Sequence, residues 1–354
     1  MVQSKAAFRR LRVADVRRET DECLSIALEV PPDLADDFRY LPGQYLTFRT
    51  VLDGVEVRRS YSLCTAPGDG ELRVAVKQVP GGAFSSYVAS HIRAGDVIEV
   101  MTPEGRFTPA PDPKPHRHVL GVAAGSGITP VIGIVRHVLA TEPTARVTLV
   151  YGNRTASSVV FREQLADLKD RYLERLRVLH VLSREGTEIP LYTGRVDGAK
   201  VRLLLQTVVD ASDIDEVFVC GPQEMSVAVR ASLLEAGVDA HRVHVELFGT
   251  PTPPPPPPTD PAAGDVRAKV VLHGLTREVD IAPGETILVA GRRAGLELPW
   301  SCEAGVCATC RARVDGDVDM AVNHSLEPWE LSAGYRLTCQ SRPRGGDLVV
   351  DYDA

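Results

Sequence analysis

The chain has 354 residues, 44% of them hydrophobic, with 47 acidic against 40 basic residues and a formal net charge of −7. This length predicts two or three packed domains rather than one. The acidic balance, without any basic run, argues against nucleic acid and anionic membrane surfaces as partners.

Cysteine use and apolar runs indicate where the protein works. Outside the C-terminal region the cysteines are Cys23, Cys64 and Cys220, an odd number scattered along the chain and a poor match to a disulfide framework. No apolar run is long enough to cross a membrane, and residues 1–10 lack the apolar core of a secretory signal. We therefore expect a cytoplasmic protein with no membrane partner.

The first hundred or so residues alternate apolar and polar positions in short runs joined by Gly and Pro turns. The clearest runs are Gln44–Phe48, Glu56–Leu63 and Glu71–Val76. This pattern is typical of a small antiparallel barrel. We place that barrel at residues 5–112.

The barrel carries a candidate flavin site. Arg59-Ser60-Tyr61-Ser62 lies on a predicted strand, and the turn Gly81-Gly82-Ala83-Phe84-Ser85 follows Lys77. An arginine and turn amides can hold a flavin diphosphate, while a tyrosine ring can pack against isoalloxazine. Taken alone, the same residues fit a strand with an exposed arginine followed by a loop.

Residues 116–249 alternate strand-like and helical patterns, which predicts a parallel sheet with helices on both faces. The helical spacing is that of Phe161, Leu165, Leu168 and Tyr172. The short β-branched runs are Val119–Ala124, Val147–Tyr151, Val178–Leu182 and Val217–Cys220.

A glycine motif, Gly125-Ser126-Gly127-Ile128-Thr129-Pro130, stands between the first of these strands and a helix running towards Leu139. Glycines there let the backbone approach a diphosphate at the positive helix N-terminus, and Pro130 fits the first turn because it has no N–H to lose. A tight turn that binds no ligand is the alternative.

A proline-rich segment at 250–264, with six consecutive prolines from Pro253 to Pro258, separates this domain from the rest. Such a run favours polyproline II and predicts a semi-rigid linker. The alternative is a ligand for a proline-binding domain.

The last domain, 265–354, holds four cysteines spaced C-x4-C-x2-C, then twenty-eight residues, then C: Cys302, Cys307, Cys310 and Cys339. This is the spacing of a plant-type [2Fe–2S] cluster, in which each iron takes two thiolates, and Gly305 allows the loop to wrap. Structural zinc and free thiols are the alternatives. Zinc favours C-x2-C pairs matched by a second close pair or by histidine, and here the fourth cysteine stands alone and no histidine lies near the first three.

Four motifs occur in the order seen in the ferredoxin–NADP reductase superfamily, and the chain resembles that superfamily over nearly its whole length. They are Arg59-x-Tyr61-Ser62, Gly82-x-x-Ser85, Gly125–Pro130 and Cys220-Gly221-Pro222. The resemblance implies a multidomain α/β and β fold: an antiparallel FAD-binding β-barrel, a parallel α/β nicotinamide domain and a C-terminal β-grasp ferredoxin-like domain. The C-terminal position of the cluster resembles the reductase components of multicomponent oxygenases.

Finer motifs resemble the reductase subunits of phenylacetyl-CoA oxygenases (epoxidases). They are Tyr151–Thr155, Phe161–Tyr172, Gly305–Arg311 and Gly334–Ser341. Reductases of 3-ketosteroid 9α-hydroxylases and of other aromatic-ring oxygenases share the architecture and are the alternatives. A non-enzymatic redox sensor or metal-binding interaction protein is the alternative from another class.

The resemblance also implies roles for individual residues. Cys220 would lie near the nicotinamide carbon that gives up hydride, and Glu246 would tune the flavin surroundings. A plain buried cysteine and a surface glutamate on an edge strand are the alternatives. Other catalytic or cofactor-binding positions are Arg59, Tyr61, Ser62, Lys77, Gly82, Phe84, Ser85, Gly125, Gly127, Thr129, Gly221, Pro222 and Phe248.

The coenzyme is expected to be NADPH, with NADH as the alternative. Ser183 and Arg184 follow the third parallel strand, where a guanidinium beside a hydroxyl suits a 2′-phosphate better than a bare ribose diol. Arg154 is a second phosphate candidate, whereas Glu185 is the kind of residue that favours NADH.

The implied electron path runs from NADPH through FAD and the [2Fe–2S] cluster to an oxygenase component, expected to be a multisubunit di-iron oxygenase. An acidic group in the cluster domain could guide docking to a basic oxygenase surface, although charged turns are often only solvated. Its members are Asp315, Asp317, Asp319, Glu327 and Glu330.

Overall fold

The computed structural model describes residues 8–110, 115–186, 188–248 and 266–354. These residues divide into two compact units. One is formed by Arg9–Val57 with Tyr61–Phe248, and the other by the described residues from Val266 onward with Phe8 and Arg58–Ser60. The predicted linker at 250–264 and the boundary positions 5, 112, 249 and 265 lie outside the described residues. Within the described ranges no helix is both long and apolar enough to span a membrane.

The first sheet is antiparallel where its pairing is recorded and has the strand order β4-β3-β6-β1-β2-β5. An antiparallel bridge from Leu63, just after β4, to Val74 on β5 joins its two edges, as a barrel requires. The strands are β1 (Phe8–Thr20), β2 (Cys23–Glu29), β3 (Tyr45–Leu52), β4 (Val55–Ser62), β5 (Leu72–Lys77) and β6 (Val97–Met101), and helix α1 is Ala83–His91.

The second sheet is parallel, with the order β11-β10-β7-β8-β9. Its strands are β7 (His118–Ala124), β8 (Arg146–Asn153), β9 (Leu176–Leu182), β10 (Glu216–Gly221) and β11 (Val243–Leu247). Its helices are α2 (Ile128–Thr141), α3 (Arg162–Arg171), α4 (Gly198–Thr207) and α5 (Gln223–Glu235).

The parallel sheet is covered on both faces, which explains its valine-rich strands. Residues of α2 and α3 pack with Val119 and Tyr151 on one face, and those of α4 and α5 pack with Leu120 and Val217 on the other. All four runs predicted from the sequence fall within observed strands, so the predicted fold is confirmed.

The chain order of the strands reverses between β7 and β10. β8 and β9 extend the sheet on one side of β7, and β10 and β11 extend it on the other. Open parallel sheets bind ligands outside the carboxyl ends of the strands at such a point. The reversal therefore gathers the Gly125 turn and Cys220 at one crevice.

Helix α2 brings the barrel against this crevice. A Cβ at Gly133, on α2, would lie 3.0 Å from the carbonyl oxygen of Leu63 and 3.1 Å from that of Thr65. A side chain there would push these carbonyl groups away by a few tenths of an ångström, so glycine lets the helix approach the end of β4 this closely. The carboxyl edge of the sheet and the end of β4 are thus held next to each other.

The third sheet is mixed, with the order β13-β12-β16-β14-β15 and a parallel pairing between β12 and β16. Helix α6 packs on it through Ile287 and Leu288, as in the predicted β-grasp fold. The strands are β12 (Val266–Leu272), β13 (Leu275–Ile281), β14 (Arg311–Met320), β15 (Tyr335–Leu337) and β16 (Ser341–Asp351), and the helices are α6 (Ile287–Arg293) and α7 (Pro328–Ser332).

Candidate functional site

Three residues predicted from separate motifs meet where the barrel faces the parallel sheet. Ser62, at the end of β4, donates a hydrogen bond of 3.3 Å from Oγ to Oε2 of Glu246 on β11. Glu246 is the parallel register partner of Cys220 on β10. A hydroxyl, a carboxyl and a thiol from both domains therefore share one small region.

The electrostatics of this region favour uncharged forms. Burial raises the pKa of Glu246 to about 8, and the hydrogen bond from Ser62 opposes that rise only in part. Cys220 is fully buried, so burial and the nearby Glu246 carboxyl raise the pKa of its thiol well above the ordinary value. Near neutral pH the carboxyl of Glu246 can hold a proton that it can also release.

The ring of Tyr61 packs against two other aromatic rings in the wall of the barrel. Its ring lies 5.9 Å from the Phe48 ring and 5.6 Å from the Phe84 ring, both measured between centroids. Phe84 is only 1% exposed and belongs to the barrel core. Phe84 therefore supports the half-buried Tyr61 from inside. Arg59, on the same strand, is exposed and donates from Nη1 to the Arg58 carbonyl oxygen at 2.7 Å.

The turn at Gly82 shapes the N-terminus of α1. A Cβ at Gly82 would lie 2.5 Å from Ser85 Oγ, so this position accepts only glycine without a local shift. Ser85 Oγ donates to the Gly82 carbonyl oxygen and accepts from the Val79 N–H, each at 3.2 Å. The hydroxyl proton of Ser85 is used within the turn. The donors that remain available to an anion at this turn are the first backbone N–H groups of α1.

The Gly125 turn joins β7 to α2 and is tightly packed. Gly125 has a φ of +54°, and a Cβ at Gly127 would lie 2.1 Å from the Cys220 carbonyl oxygen. Thr129 is 2% exposed and donates from Oγ1 to the Ser126 carbonyl oxygen at 3.0 Å. The turn thus seats α2 directly against β10, beside Cys220.

The neighbouring end of β10 is equally close-packed. A Cβ at Gly221 would lie 2.6 Å from Met225 Cε, and Pro222 precedes the first residue of α5. Phe248, after β11, packs against the core cluster that contains Cys220. Gly221 and the adjoining Pro222 therefore lie at the same crevice as the Gly125 turn, since a Cβ at Gly221 would also lie 3.2 Å from Ala124 Cβ.

Two residues of the motif Tyr151–Thr155, to which the sequence assigned no role in the site, also belong to the crevice. Tyr151 on β8 is fully buried and donates from its hydroxyl to the Gly125 carbonyl oxygen at 3.0 Å. Asn153, two residues along the strand and 9% exposed, has no hydrogen-bond partner for Nδ2 within the described ranges. Residues two apart on a strand share a face, and this spacing at the carboxyl end of a parallel strand was the signal for them.

The predicted coenzyme phosphate ligands lie side by side after β8 and β9. The Ser183 N–H donates to the Asn153 carbonyl oxygen at 2.9 Å, and the Arg184 N–H donates to that of Arg154 at 2.8 Å. Ser183 and Arg184 are exposed. The carboxylate of Glu185 is already engaged, since its Oε1 accepts from the Ala156 N–H at 3.0 Å.

Lys77 lies close to the Gly125 turn. Its Nζ is 3.9 Å from the place where a Cβ of Gly125 would stand, and 3.4 Å from Glu22 Oε2. Arg154 also donates to Glu22 Oε2, at 2.5 Å. Lys77, predicted as a flavin residue, thus lies beside the predicted coenzyme turn.

The loop of the first three cysteines has the shape needed to wrap a group. Gly305, Glu303 and Ala308 have φ values of +74°, +53° and +57°. Two of these are not glycine, and such strained positions persist where the surroundings enforce them, often at binding sites. The N–H groups of Ala304 and Cys307 both donate to Cys302 Sγ at 3.4 Å.

The four cysteines approach one another in two pairs. Hydrogen bonding from the Cys307 thiol holds the pKa of Cys302 well below its ordinary value, and hydrogen bonding from the Cys310 thiol lowers the pKa of Cys339. No three His, Cys, Asp or Glu side chains in the described part of the chain gather closely enough to hold a single metal ion. Two pairs of thiols fit a cluster of two irons better than one tetrahedral zinc.

The acidic group predicted in the cluster domain is smaller than expected. Asp315 and Asp317 are exposed on β14, whereas Asp319 pairs with Arg344 at 3.1 Å. Including Glu330 was wrong, because its side chain is fully buried and Arg311 donates to its Oε1 at 2.8 Å. It also accepts from the Glu327 N–H at 3.0 Å, so it serves the start of α7 rather than a surface.

Three family profiles match this chain in sequence order. The oxidoreductase FAD-binding domain matches residues 14–108, the oxidoreductase NAD-binding domain matches 122–231, and the 2Fe-2S iron-sulfur cluster binding domain matches 270–344. Together they cover the barrel, the parallel sheet and the cluster loop. The cofactors of this chain are therefore FAD, a nicotinamide coenzyme and a [2Fe–2S] cluster.

Relatives are similar over almost the whole chain. One subunit of the 1,2-phenylacetyl-CoA epoxidase of Escherichia coli K12 is 42% identical over 98% of this chain and 98% of its own. The ferredoxin reductase component of 3-ketosteroid-9-alpha-monooxygenase from Mycobacterium tuberculosis is 36% identical over 97% and 95%. Phthalate dioxygenase reductase shares the fold, with a TM-score of 0.61 and 24% identity over 98% of each chain.

Proposed function

Because this chain belongs to the oxygenase reductases of the ferredoxin–NADP reductase superfamily, we propose that it passes electrons from NADPH to the oxygenase of a phenylacetyl-CoA 1,2-epoxidase. The main structural support for electron transfer is that Ser62, Cys220 and Glu246 lie close together where the barrel faces the parallel sheet. The similarity over 98% of both chains to a component of such an epoxidase supports this acceptor.

The cofactors supply the redox chemistry. A nicotinamide gives up two electrons as hydride and a [2Fe–2S] cluster takes one at a time, so bound FAD stores the pair and releases it singly. The protein places these groups and controls the proton and the water around them.

At the barrel, Tyr61 offers a ring face to the flavin, and Ser62 offers a hydroxyl to its polar edge. Arg59 and the first turn of α1 after Gly82 hold the diphosphate. Ser85 acts by fixing that turn, in agreement with its hydrogen bonds to Gly82 and Val79.

At the sheet, Gly125 and Gly127 admit the coenzyme backbone to the N-terminus of α2, and Thr129 fixes their turn. Cys220 would lie close to the nicotinamide ring of a bound coenzyme. The raised pKa of Glu246 lets its carboxyl hold a proton near neutral pH beside Ser62 and release it when the local charge changes.

The preference for NADPH rests on the two exposed segments after β8 and β9. Arg184 is exposed at the expected ribose position, and Arg154 is its backbone neighbour. The carboxylate of Glu185 is engaged by the Ala156 N–H, so it does not stand ready for a ribose diol. A guanidinium pair favours a 2′-phosphate.

Cys302, Cys307, Cys310 and Cys339 would hold the [2Fe–2S] cluster, and that cluster would supply single electrons to the oxygenase component, which we take to be a multisubunit di-iron enzyme. The remaining cysteines, Cys23, Cys64 and Cys220, are free and buried, which agrees with work in the reducing cytoplasm.

Reconstitution tests the acceptor. The purified holoprotein is mixed with NADPH and either a phenylacetyl-CoA epoxidase oxygenase or a 3-ketosteroid hydroxylase oxygenase, and product formation is measured with each substrate. We expect product only with the first pair. Product only with the steroid enzyme would instead assign the chain to steroid hydroxylation. That function is the second candidate because the chain is 36% identical to the mycobacterial reductase component.

A further inference from the structure

Three charged side chains from three segments meet beside the Gly125 turn. Glu22 lies in the turn between β1 and β2, Lys77 ends β5, and Arg154 follows β8. A single oxygen, Oε2 of Glu22, is 3.4 Å from Lys77 Nζ and 2.5 Å from Arg154 Nη2. One carboxylate thus pairs with a cation of the barrel and a cation of the nucleotide domain at the same time.

The two cations flank the predicted path of the coenzyme phosphates. Lys77 Nζ is 3.9 Å from the place where a Cβ of Gly125 would stand. Gly125 begins the short turn Gly125–Gly127, and α2 starts directly after it. Arg154 is bonded through its carbonyl oxygen to Arg184. An anion that reaches the Gly125 turn or the Arg184 segment therefore enters the field of both cations.

Hydrogen bonds fix the backbone of Glu22, whereas its carboxylate is exposed enough to give up its ion-pair partners. Its carbonyl oxygen accepts from the Gln78 N–H at 2.7 Å, and its own N–H donates to Thr20 Oγ1 at 3.3 Å. The side chains of Glu22 and Arg154 are 50% and 44% exposed. Exposed ion pairs contribute little stability, and a phosphate offers a guanidinium the same charge-assisted, bidentate hydrogen bonds that a carboxylate does, so a phosphate can take the place of Glu22.

We propose that Glu22 is an internal counter-ion that competes with a coenzyme phosphate for Lys77 and Arg154, and that it must release them when the dinucleotide binds. This inference rests on the proposed function. Glu22 then weakens coenzyme affinity and speeds release of the oxidised coenzyme. It is a residue that sets coenzyme affinity without contacting the nicotinamide.

Calorimetric titration of the FAD-loaded holoprotein with NADP⁺ and with NAD⁺ tests the proposal without relying on turnover. Glu22→Gln keeps the shape and an acceptor oxygen but removes the charge. We expect its Kd to fall about threefold to tenfold, within the range given by losing the two ion pairs of Glu22 with Lys77 and Arg154. Asp21→Asn removes the same charge from the neighbouring exposed residue and leaves the Kd within about twofold of the wild type.

The two coenzymes distinguish the phosphate involved. If the Kd values of NADP⁺ and NAD⁺ fall equally in Glu22→Gln, Lys77 and Arg154 bind the diphosphate that both coenzymes share. If only the Kd of NADP⁺ falls, they bind its 2′-phosphate. In an Arg154→Gln background the gain from Glu22→Gln is expected to shrink to less than half. An unchanged or larger Kd in Glu22→Gln, or equal gains in Glu22→Gln and Asp21→Asn, would overturn the proposal.

Failure of this proposal differs from failure of the proposed function. If Glu22→Gln and the wild type bind both coenzymes with the same Kd, only the counter-ion role is lost. If wild-type holoprotein binds neither coenzyme, the reductase function is lost as well.

Discussion

The Ser62 hydroxyl donates to the Glu246 carboxylate across 3.3 Å, linking the last residue of a barrel strand to the edge strand of the parallel sheet. The two residues are 184 positions apart in the chain. The contact makes the protonation of one carboxyl depend on how the barrel and the sheet meet.

Glu246 gives the protein a pH-dependent stability of definite sign. Its pKa is raised from 4.5 to about 8, so between these values the folded state holds a proton that the unfolded chain has lost. Stability therefore falls as pH rises through this window, and the penalty is complete above pH 8. Relative to Glu246→Gln, the wild type is expected to lose about 1–2 kcal/mol between pH 5 and pH 8.5, a loss limited by the carboxyl's remaining contact with solvent.

Thermal unfolding of both proteins at the two pH values checks this. Glu224→Gln, an exposed glutamate on α5, serves as the matched control. A difference between wild type and Glu246→Gln that does not change with pH would contradict the raised pKa.

Tyr151 is expected to act as a positioning residue for the Gly125 turn. Tyr151→Phe removes the 3.0 Å hydrogen bond to the Gly125 carbonyl, at a cost of about 1 kcal/mol. We expect KM for NADPH to rise about threefold to tenfold while kcat and flavin content stay near wild type. Steady-state kinetics with ferricyanide measure both constants. Tyr172→Phe makes the same chemical change away from the turn, and an equal effect there would argue against a specific role.

Gly127 is expected to tolerate no side chain. In Gly127→Ala the new Cβ would lie 2.1 Å from the Cys220 carbonyl oxygen, so α2 must move away from β10. We expect a loss of stability of more than about 2 kcal/mol and a large loss of NADPH affinity. Gly186→Ala is the control, because a Cβ there meets nothing within 4 Å. Near-native melting and affinity in Gly127→Ala would show that the packing is looser than described.

We expect that substitution of a cluster cysteine abolishes the function of the cluster and leaves the flavin site active. Cys302→Ser or Cys339→Ser removes a cluster ligand, so we expect loss of the iron–sulfur absorption and of electron delivery to the oxygenase. NADPH-dependent ferricyanide reduction is expected to persist, since the barrel and the sheet are unchanged. Cys64→Ala, in the other compact unit, is expected to keep both activities with about 1–2 kcal/mol less stability. Loss of cluster absorption in Cys64→Ala would contradict the assigned ligands.

The sequence predicted the features that local pattern encodes. Val119–Ala124 falls within β7 because a strand buried on both faces of a parallel sheet is a continuous apolar run. The spacing of Cys302, Cys307 and Cys310 indicated a wrapped loop, and Gly305 does adopt a positive φ.

The features that the sequence could not predict depend on contacts distant in the chain. Glu22 and Arg154 are 132 residues apart, and their pairing follows from how the barrel packs on the sheet. Glu330 looked like a surface acid, but Arg311, 19 residues away, neutralises it inside the fold. No local pattern distinguishes a buried, paired carboxylate from a solvated one.

Stepwise reduction of the anaerobically purified holoprotein, followed by absorption, tests whether electrons pass from the coenzyme through FAD to the cluster. We expect flavin bands with an iron–sulfur shoulder, both bleached by NADPH, and by NADH only at higher concentration. A protein that lacks either chromophore after reconstitution, or whose chromophores neither coenzyme bleaches, would contradict the electron path from coenzyme through FAD to the cluster.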